Sequence, residues 1–381
     1  MHGGTCKHEH EALMESKQGD ESPAVTDDDV FPANFAEIVA SLPRGPPCSI
    51  FPSVRLYRGF WVPTGFLLNL PRAHALFVER RPADILLASF PKSGTTWLKA
   101  LAFATARRSV HSPLNGAAGH PLLSSSSHNC VALLDILGLL ESNDDDGNDD
   151  TMAPPPRLLS THLPYSLLPR RATADGGGGN SSGCRFVYIA RDPKDTLVSA
   201  WHFDAGLRRS AAAEGREGGG GAGLEFEEAF ELYCQGHGGM APQWEHVREY
   251  WEASKRTPGS VLFLRYEEML QDPEGNLKKM AEFMGCPFSA AEDDAGVVRA
   301  IVELCSLEKQ RSLAVNITGA YANVLEDVVV TTAVENKYFF RKGIVGDWRN
   351  HMTPEMAARL DGIVEEALKA SGFTFGVHQY K

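Results

Sequence analysis

The chain has 381 residues, 37 basic and 49 acidic side chains and a formal net charge of −12, with 43% hydrophobic and 9% aromatic residues. That much apolar material supports a packed core and excludes global disorder, and the length suits one large α/β domain or two smaller ones. No apolar run approaches the roughly 20 residues a membrane-spanning helix needs, and the longest of them, Val131 to Leu140, is interrupted by Asp135. The charged N-terminal stretch lacks the apolar segment of a secretory signal. The seven cysteines are scattered singly with no CxxC pair, which fits neither a disulfide framework nor a zinc site and points to a reducing, cytoplasmic location. The acidic balance disfavours nucleic-acid and membrane-surface partners, but leaves room for an anionic small ligand held by a local cluster of Lys, Arg and backbone N–H groups.

Residues 1 to about 45 are polar and acidic with a Pro-rich end, the composition of a mobile arm. Ala83 to Phe90 is an apolar run expected for a buried parallel strand, ended by Pro91, and Thr95 to Arg108 reads as the helix that follows. The acidic run Asn143 to Asp150 cannot be core, and Arg157 to Thr161 reads as a short strand. Gly-rich stretches at Gly176–Gly179 and Gly215–Gly223 are expected to be mobile surface insertions; in all, low-complexity insertions are expected near 141–156, 172–183 and 208–224. Arg185 to Ala190 is a second buried strand, followed by Asp192-Pro193, a helix start with Asp at the cap and Pro in the first turn. Ser260 to Tyr266 is a third strand. Asp272-Pro273 then opens a helix with Leu277, Met280, Ala281 and Met284 on one face, ended by Gly285. Thr353-Pro354 repeats the device, with Met356, Leu360, Ile363, Val364, Ala367 and Leu368 facing inward and Gly372 as the stop. Strands alternating with helices in this way predict a single α/β domain with a central parallel sheet flanked by helices, whose ligands bind at the carboxyl ends of the strands.

Four constellations carry chemistry. The first, Pro91-Lys92-Ser93-Gly94-Thr95-Thr96-Trp97, runs from a buried strand into a helix. It offers free helix N–H groups, one Gly for close backbone approach, hydroxyl donors and a cation, which together make a P-loop-like anion cradle. It is not a Walker A motif, because Lys92 precedes a single Gly. The second runs from Arg191 to Ser199, an Arg at a strand end and a hydroxyl two helical turns on, suited to a second phosphate. The third is Ser160-Thr161-His162-Leu163-Pro164, which places a lone His after a strand. The fourth, Arg341-Lys342-Gly343 continuing to Trp348, puts two cations and a Gly on a loop able to close over an anion.

KSGTTW, STHLP, RDPKDTLVS, FLRYEEM and RKGIVGDW occur in the order and rough spacing found in the cytosolic sulfotransferases. The resemblance covers about Leu56 to Phe375, and the C-terminal stretch is similar to the plant branch of that family. It implies a sulfotransferase domain over 56–377 that moves a sulfonate from 3′-phosphoadenosine 5′-phosphosulfate (PAPS) to a hydroxylated small-molecule acceptor such as a flavonoid, a steroid-like hormone or another plant metabolite. By the same resemblance, Lys92, Ser93, Gly94, Thr95, Thr96 and Trp97 match the 5′-phosphosulfate site, with Trp97 against the adenine. Arg191 and Ser199 match the 3′-phosphate site, Arg341, Lys342 and Gly343 the loop that clasps it, and Tyr266 an adenine contact; Ser306 and Leu307 fall near the remaining adenine segment. His162 matches the catalytic base and Lys92 the partner of the leaving phosphate oxygen. No metal is required by this scheme.

The residue types agree with such chemistry. A His with a near-neutral pKa suits removal of the acceptor proton. In-line transfer of a charged group rests mainly on positioning and cationic stabilisation. Two departures stand out. Ser160 occupies the position where many animal members carry Lys, removing one transition-state cation. The family's dimer motif aligns to Arg349, Thr353, Pro354 and Ala358, altering three of four fixed positions, so a monomer or weak homodimer is expected. Adjacency to the motifs makes Trp61, His202 and Phe203 the expected acceptor-pocket residues. Two rivals are a nucleotide kinase, which needs a Walker A Lys after the second Gly, and a non-catalytic nucleotide binder, which would have lost its base or cradle.

Overall fold

The computed structural model describes residues 31–46, 53–77, 84–114, 116, 118–136, 156–170, 172–173, 184–213, 223–324 and 331–376. It opens with a helix, Phe35–Ser41, and an antiparallel hairpin of β1 (Val54–Tyr57) and β2 (Phe60–Pro63). Arg58 and Gly59 turn the hairpin with φ of 49° and 82°, the twist a two-residue connection requires. The central sheet is built from β3 (Ile85–Ser89), β4 (Ala132–Leu133), β5 (Leu158–Thr161), β6 (Arg185–Ala190) and β7 (Val261–Arg265) in the order β4-β5-β3-β6-β7, with every pairing parallel. A second hairpin, β8 (Ala320–Val324) with β9 (Thr331–Glu335), stands outside this sheet.

Alternation along the central strands explains why both faces are covered. Leu86, Ala88, Phe186 and Tyr188 join one buried cluster, where the helices Thr64–Ala75, Gln243–Arg256 and Pro354–Leu368 contribute Leu67, Tyr250 and Leu360. Ile85, Leu87, Val187 and Ile189 point the other way, against Leu98, Met280 and Ile301 of the helices Thr95–Ala106, Pro273–Phe283 and Val297–Leu304. Strands buried on both faces read as near-continuous apolar runs, which is what made β3 and β6 visible in the sequence. The Asp-Pro and Thr-Pro starts cap as expected: Asp192 accepts from Lys194 N at 2.8 Å, Asp272 from Gly275 N at 2.9 Å and Thr353 from Met356 N at 3.2 Å.

Two boundaries differ from the sequence expectation. The mobile arm was expected to run to about residue 45, but Phe35 and Val39 are buried in the core and Gly45 N bonds to Val54 O at 3.1 Å. Residues 31–45 thus belong to the packed body, because their few apolar side chains find the β1–β2 hairpin; residues 1–30 lie outside the described residues. The insertion expected from residue 208 begins later, since the Pro193–Ala213 helix runs through that point. Residues 137–155, 174–183 and 214–222, which hold most of the three expected insertions, lie outside the described residues.

Candidate active site

Four neighbouring strands each release a polar or aromatic residue into one cavity of about 350 Å³ at their carboxyl ends. β5 ends at Thr161 and delivers His162, β3 ends at Ser89 and delivers Lys92, β6 delivers Arg191 and β7 delivers Tyr266. The sheet order therefore lines these residues up across the sheet edge as His162, Lys92, Arg191, Tyr266.

The Lys92–Trp97 turn has the geometry of an anion cradle. Lys92 and Gly94 adopt φ of 67° and 112°, so the chain enters the helix from left-handed conformations. The first helical hydrogen bond is Leu98 N to Gly94 O, and no side chain caps the end. The N–H groups of Thr95, Thr96 and Trp97 have no intrahelical acceptor and sit at the positive end of the helix dipole. A Cβ at Gly94 would lie 2.8 Å from the Tyr266 ring, so glycine is required by both the conformation and the space. The Ser93 Oγ is buried without a partner.

Cations surround this turn. Arg191 donates to Lys92 O at 3.3 Å and to Ile344 O at 3.1 Å, lies over the Tyr266 ring at 4.6 Å, and keeps its buried Nε unpaired. Arg341 and Lys342 both bond Asp347, and the Arg341 Nε is likewise buried and unpaired. Asp195, from the same motif as Arg191, accepts from Gly346 N at 2.6 Å and Trp348 N at 3.1 Å, tying the Arg341–Trp348 loop to the Pro193–Ala213 helix. Gly343, at φ 62°, packs where a Cβ would lie 2.7 Å from Leu307. Burial, then the charges of Arg191 and Arg341, push the Lys92 ammonium down to about 7; its Nζ rests 3.6 Å from the centre of the Phe203 ring. Buried donors without acceptors beside a depressed lysine describe a site shaped for a polyanion.

Ser199, Ser306 and Leu307 also line the cavity, and Trp97 meets Tyr266 edge-to-face at 5.7 Å. Of the three residues expected in an acceptor pocket, only Phe203 lines it. Trp61 instead belongs to the core, locked by Trp61 N to Ala241 O at 2.9 Å and packed on the His237 ring at 5.0 Å. His202 lies about 100° round the helix from Phe203 and faces the His351 ring, Nε2 to Nε2 3.4 Å.

His162 is held from three directions. Its Nδ1 bonds the Ser89 carbonyl at 2.8 Å, its backbone N–H donates to Asp135 Oδ2 at 2.7 Å, and its carbonyl accepts from His246 Nε2 at 3.0 Å. A carbonyl only accepts, so Nδ1 carries the hydrogen and Nε2 keeps its lone pair. Burial pushes the imidazole down to about 4, against the Ser89 bond and with the charges of Lys99 and Lys92. Asp135 also accepts from the Thr161 hydroxyl at 2.7 Å and is itself raised to about 6 by burial. Sequence reading met Asp135 only as an interruption in an apolar run; a lone carboxylate in such a run was the available signal. Lys99, His128, Tyr321 and Phe339, which also line the cavity, carried no motif of their own.

A family profile described as the sulfotransferase domain matches residues 82–372. The chain belongs to the sulfotransferase family. Cytosolic sulfotransferase 5 of Arabidopsis thaliana is 40% identical over 319 residues, covering 84% of this chain and 90% of that protein. Flavonol 3-sulfotransferase of Flaveria bidentis is 38% identical over 317 residues, covering 83% and 91%. Among solved structures, mouse sulfotransferase SULT7A1 complexed with PAP superposes with a TM-score of 0.55 at 26% identity, covering 84% of this chain and 95% of that one. Retinol dehydratase in complex with androsterone and inactive cofactor PAP shares the fold, with a TM-score of 0.61 at 22% identity and coverage of 90% and 96%. No helix among the described residues of this sulfotransferase is long and apolar enough to cross a membrane.

Proposed function

We propose that this sulfotransferase moves a sulfonate from PAPS to a hydroxyl of a small-molecule acceptor, in the cytoplasm, as a monomer or weak homodimer. The observation that carries this reading is the row of strand-end residues. Its Tyr266 end offers aromatic faces from Tyr266 and Trp97 for an adenine. Its centre offers the cradle for a 5′-phosphosulfate. Arg191, Ser199, Arg341, Lys342 and Gly343 stand together for a 3′-phosphate. The unpaired Ser93 Oγ, Arg191 Nε and Arg341 Nε are the donors such a substrate would satisfy. The PAP bound in the mouse relative supports the same donor.

His162 acts as the base. The acceptor O–H gives its proton to Nε2 while the acceptor oxygen bonds to sulfur. The sulfur–oxygen bond to the phosphate breaks in line, leaving a phosphate oxygen whose new charge meets Lys92. The flavonol activity in the name of the Flaveria relative supports a hydroxylated aromatic such as a flavonoid as acceptor, with steroid-like and other plant metabolites as further members of the test set.

The test is to incubate the purified protein with PAPS and a panel of hydroxylated flavonoids, steroids and simple phenols, reading product mass and release of PAP. One PAP released per sulfonated acceptor is the expected outcome. Transfer of phosphate from ATP with none of sulfonate from PAPS would replace this reading by the kinase one.

A further inference from the structure

Ser160, two residues before His162, cannot act in the cavity. It is fully buried, its hydroxyl donates to Ala132 O at 2.9 Å, and it does not line the site. Yet the His162 end of the cavity holds a cation that no motif announced. Lys99, one turn into the Thr95–Ala106 helix, is only 1% exposed and lines the cavity. The charge of Lys99 is felt by His162 and Asp135, whereas that of Lys92 is felt by Arg191 and Arg341 on the nucleotide side. The two lysines thus serve opposite ends of one cavity.

Lys99 is also held in place. Its Nζ lies 3.3 Å from His128 Nδ1, and His128 Nε2 lies 3.0 Å from the Thr96 hydroxyl. Residues 96 and 99 are three apart on one helix face, and one imidazole from the Ser127–Cys130 helix spans both. An ammonium can only donate, so Nδ1 accepts and the ring hydrogen sits on Nε2, where it donates to Thr96. The Thr96 hydroxyl hydrogen is then directed to another acceptor in the cavity. Tyr321 and Phe339 pack on the His128 ring with centroids at 5.2 Å and 4.1 Å, fixing its plane. The remaining ionisable neighbour of Lys99 is Cys130, a thiol pushed up to about 11 by burial and so neutral.

We propose that Lys99 is a second catalytic cation of the transfer reaction, one that acidifies the acceptor hydroxyl; this rests on the sulfonate-transfer reading above. No bond to Lys99 forms or breaks. Its ammonium lies beside the oxygen that loses a proton to His162 Nε2, and favours the oxyanion character that oxygen gains while it attacks sulfur. The device answers a mismatch in the site. A buried imidazole is a weak base for a phenol whose ordinary pKa is about 10, and proton transfer is most efficient when donor and acceptor are matched. A neighbouring cation lowers the hydroxyl's pKa towards that of the base.

The test is a series of ring-substituted phenols, from nitrophenols to alkylphenols, assayed for kcat with PAPS on the wild type, Lys99→Met and Lys99→Arg, with the Kd for PAP measured on each protein. The expected result is a loss that grows as the acceptor becomes less acidic, about tenfold for a nitrophenol and about a hundredfold or more for an alkylphenol. Lys99→Arg should recover part of the loss, and PAP affinity should stay within about threefold of wild type. A loss independent of acceptor acidity, no loss at all, or a fall in PAP affinity matching the fall in kcat would overturn the assignment. If Lys99→Met does not fold, Lys99→Gln is read by the same criteria. Absence of sulfonate transfer by the wild type overturns the transfer reading and this inference with it, whereas a wild type that transfers sulfonate beside an unaffected Lys99→Met overturns this inference alone.

Discussion

The nucleotide side of the cavity and the His162 side are built on different principles. The nucleotide side is made of contiguous segments whose backbone does much of the work: three free N–H groups at a helix start, two glycines in left-handed conformations, and a loop tied down by Asp195. Such segments need specific residues at fixed spacing, because a Cβ at Gly94 or Gly343 collides with Tyr266 or Leu307. The His162 side is assembled from single side chains on separate elements, namely His162, Asp135, Lys99, His128, Tyr321 and Phe339, and their relation exists only in three dimensions. The difference assigns a task to each half: the first recognises a polyanion, and the second manages one proton.

That division predicts separable defects. The largest is expected for His162→Ala. Removing the base should lower kcat by about 1000-fold while the Kd for PAP, measured by calorimetry, stays close to wild type. Near-normal kcat in that variant would dissolve the distinction between the halves.

On the other side, Arg191→Ala should weaken PAP by about 2 kcal/mol, roughly 30-fold, and weaken adenosine 5′-phosphosulfate, which lacks the 3′-phosphate, far less. Equal losses for the two ligands would remove Arg191 from the 3′-phosphate site.

A smaller effect concerns pH and sharpens the role of Lys92. Its pKa in the empty cavity is near 7, lowered first by burial and then by Arg191 and Arg341. An anionic phosphate beside it favours the ammonium and raises that pKa. Binding therefore takes up a proton at any pH above about 7, and affinity should be flat below that pH and fall by up to about tenfold per unit as pH rises beyond it. Calorimetry in two buffers of different ionisation enthalpy reads the uptake directly. A proton count of zero at pH 8 would mean that Lys92 does not face the ligand's charge.

What was legible in the sequence follows the same line. The strands β3 and β6 and the Asp-Pro helix starts were readable because burial on both faces and capping impose local composition. The cradle was readable because strand, turn and helix N-terminus are consecutive. Asp135, Lys99 and His128 were not, because a buried carboxylate, lysine or histidine has no local signature and acquires meaning only from neighbours 26 or more residues away, as Asp135 does from Thr161 and Lys99 from His128. Trp61 and His202 fail for the converse reason: proximity along the chain to a motif does not fix which way a side chain faces, and a single helical step turns His202 away from the wall that Phe203 forms. The folded part of the supposed arm escaped because two buried apolar residues, Phe35 and Val39, are too few to stand out from an acidic background.

The central claim is that the cavity recognises a 3′-phosphorylated adenine nucleotide, and the most direct measurement is calorimetric titration of the purified protein with PAP, with ATP as the comparison. The account predicts micromolar or tighter binding of PAP and little binding of ATP. Preference for ATP, or binding of neither, would contradict it.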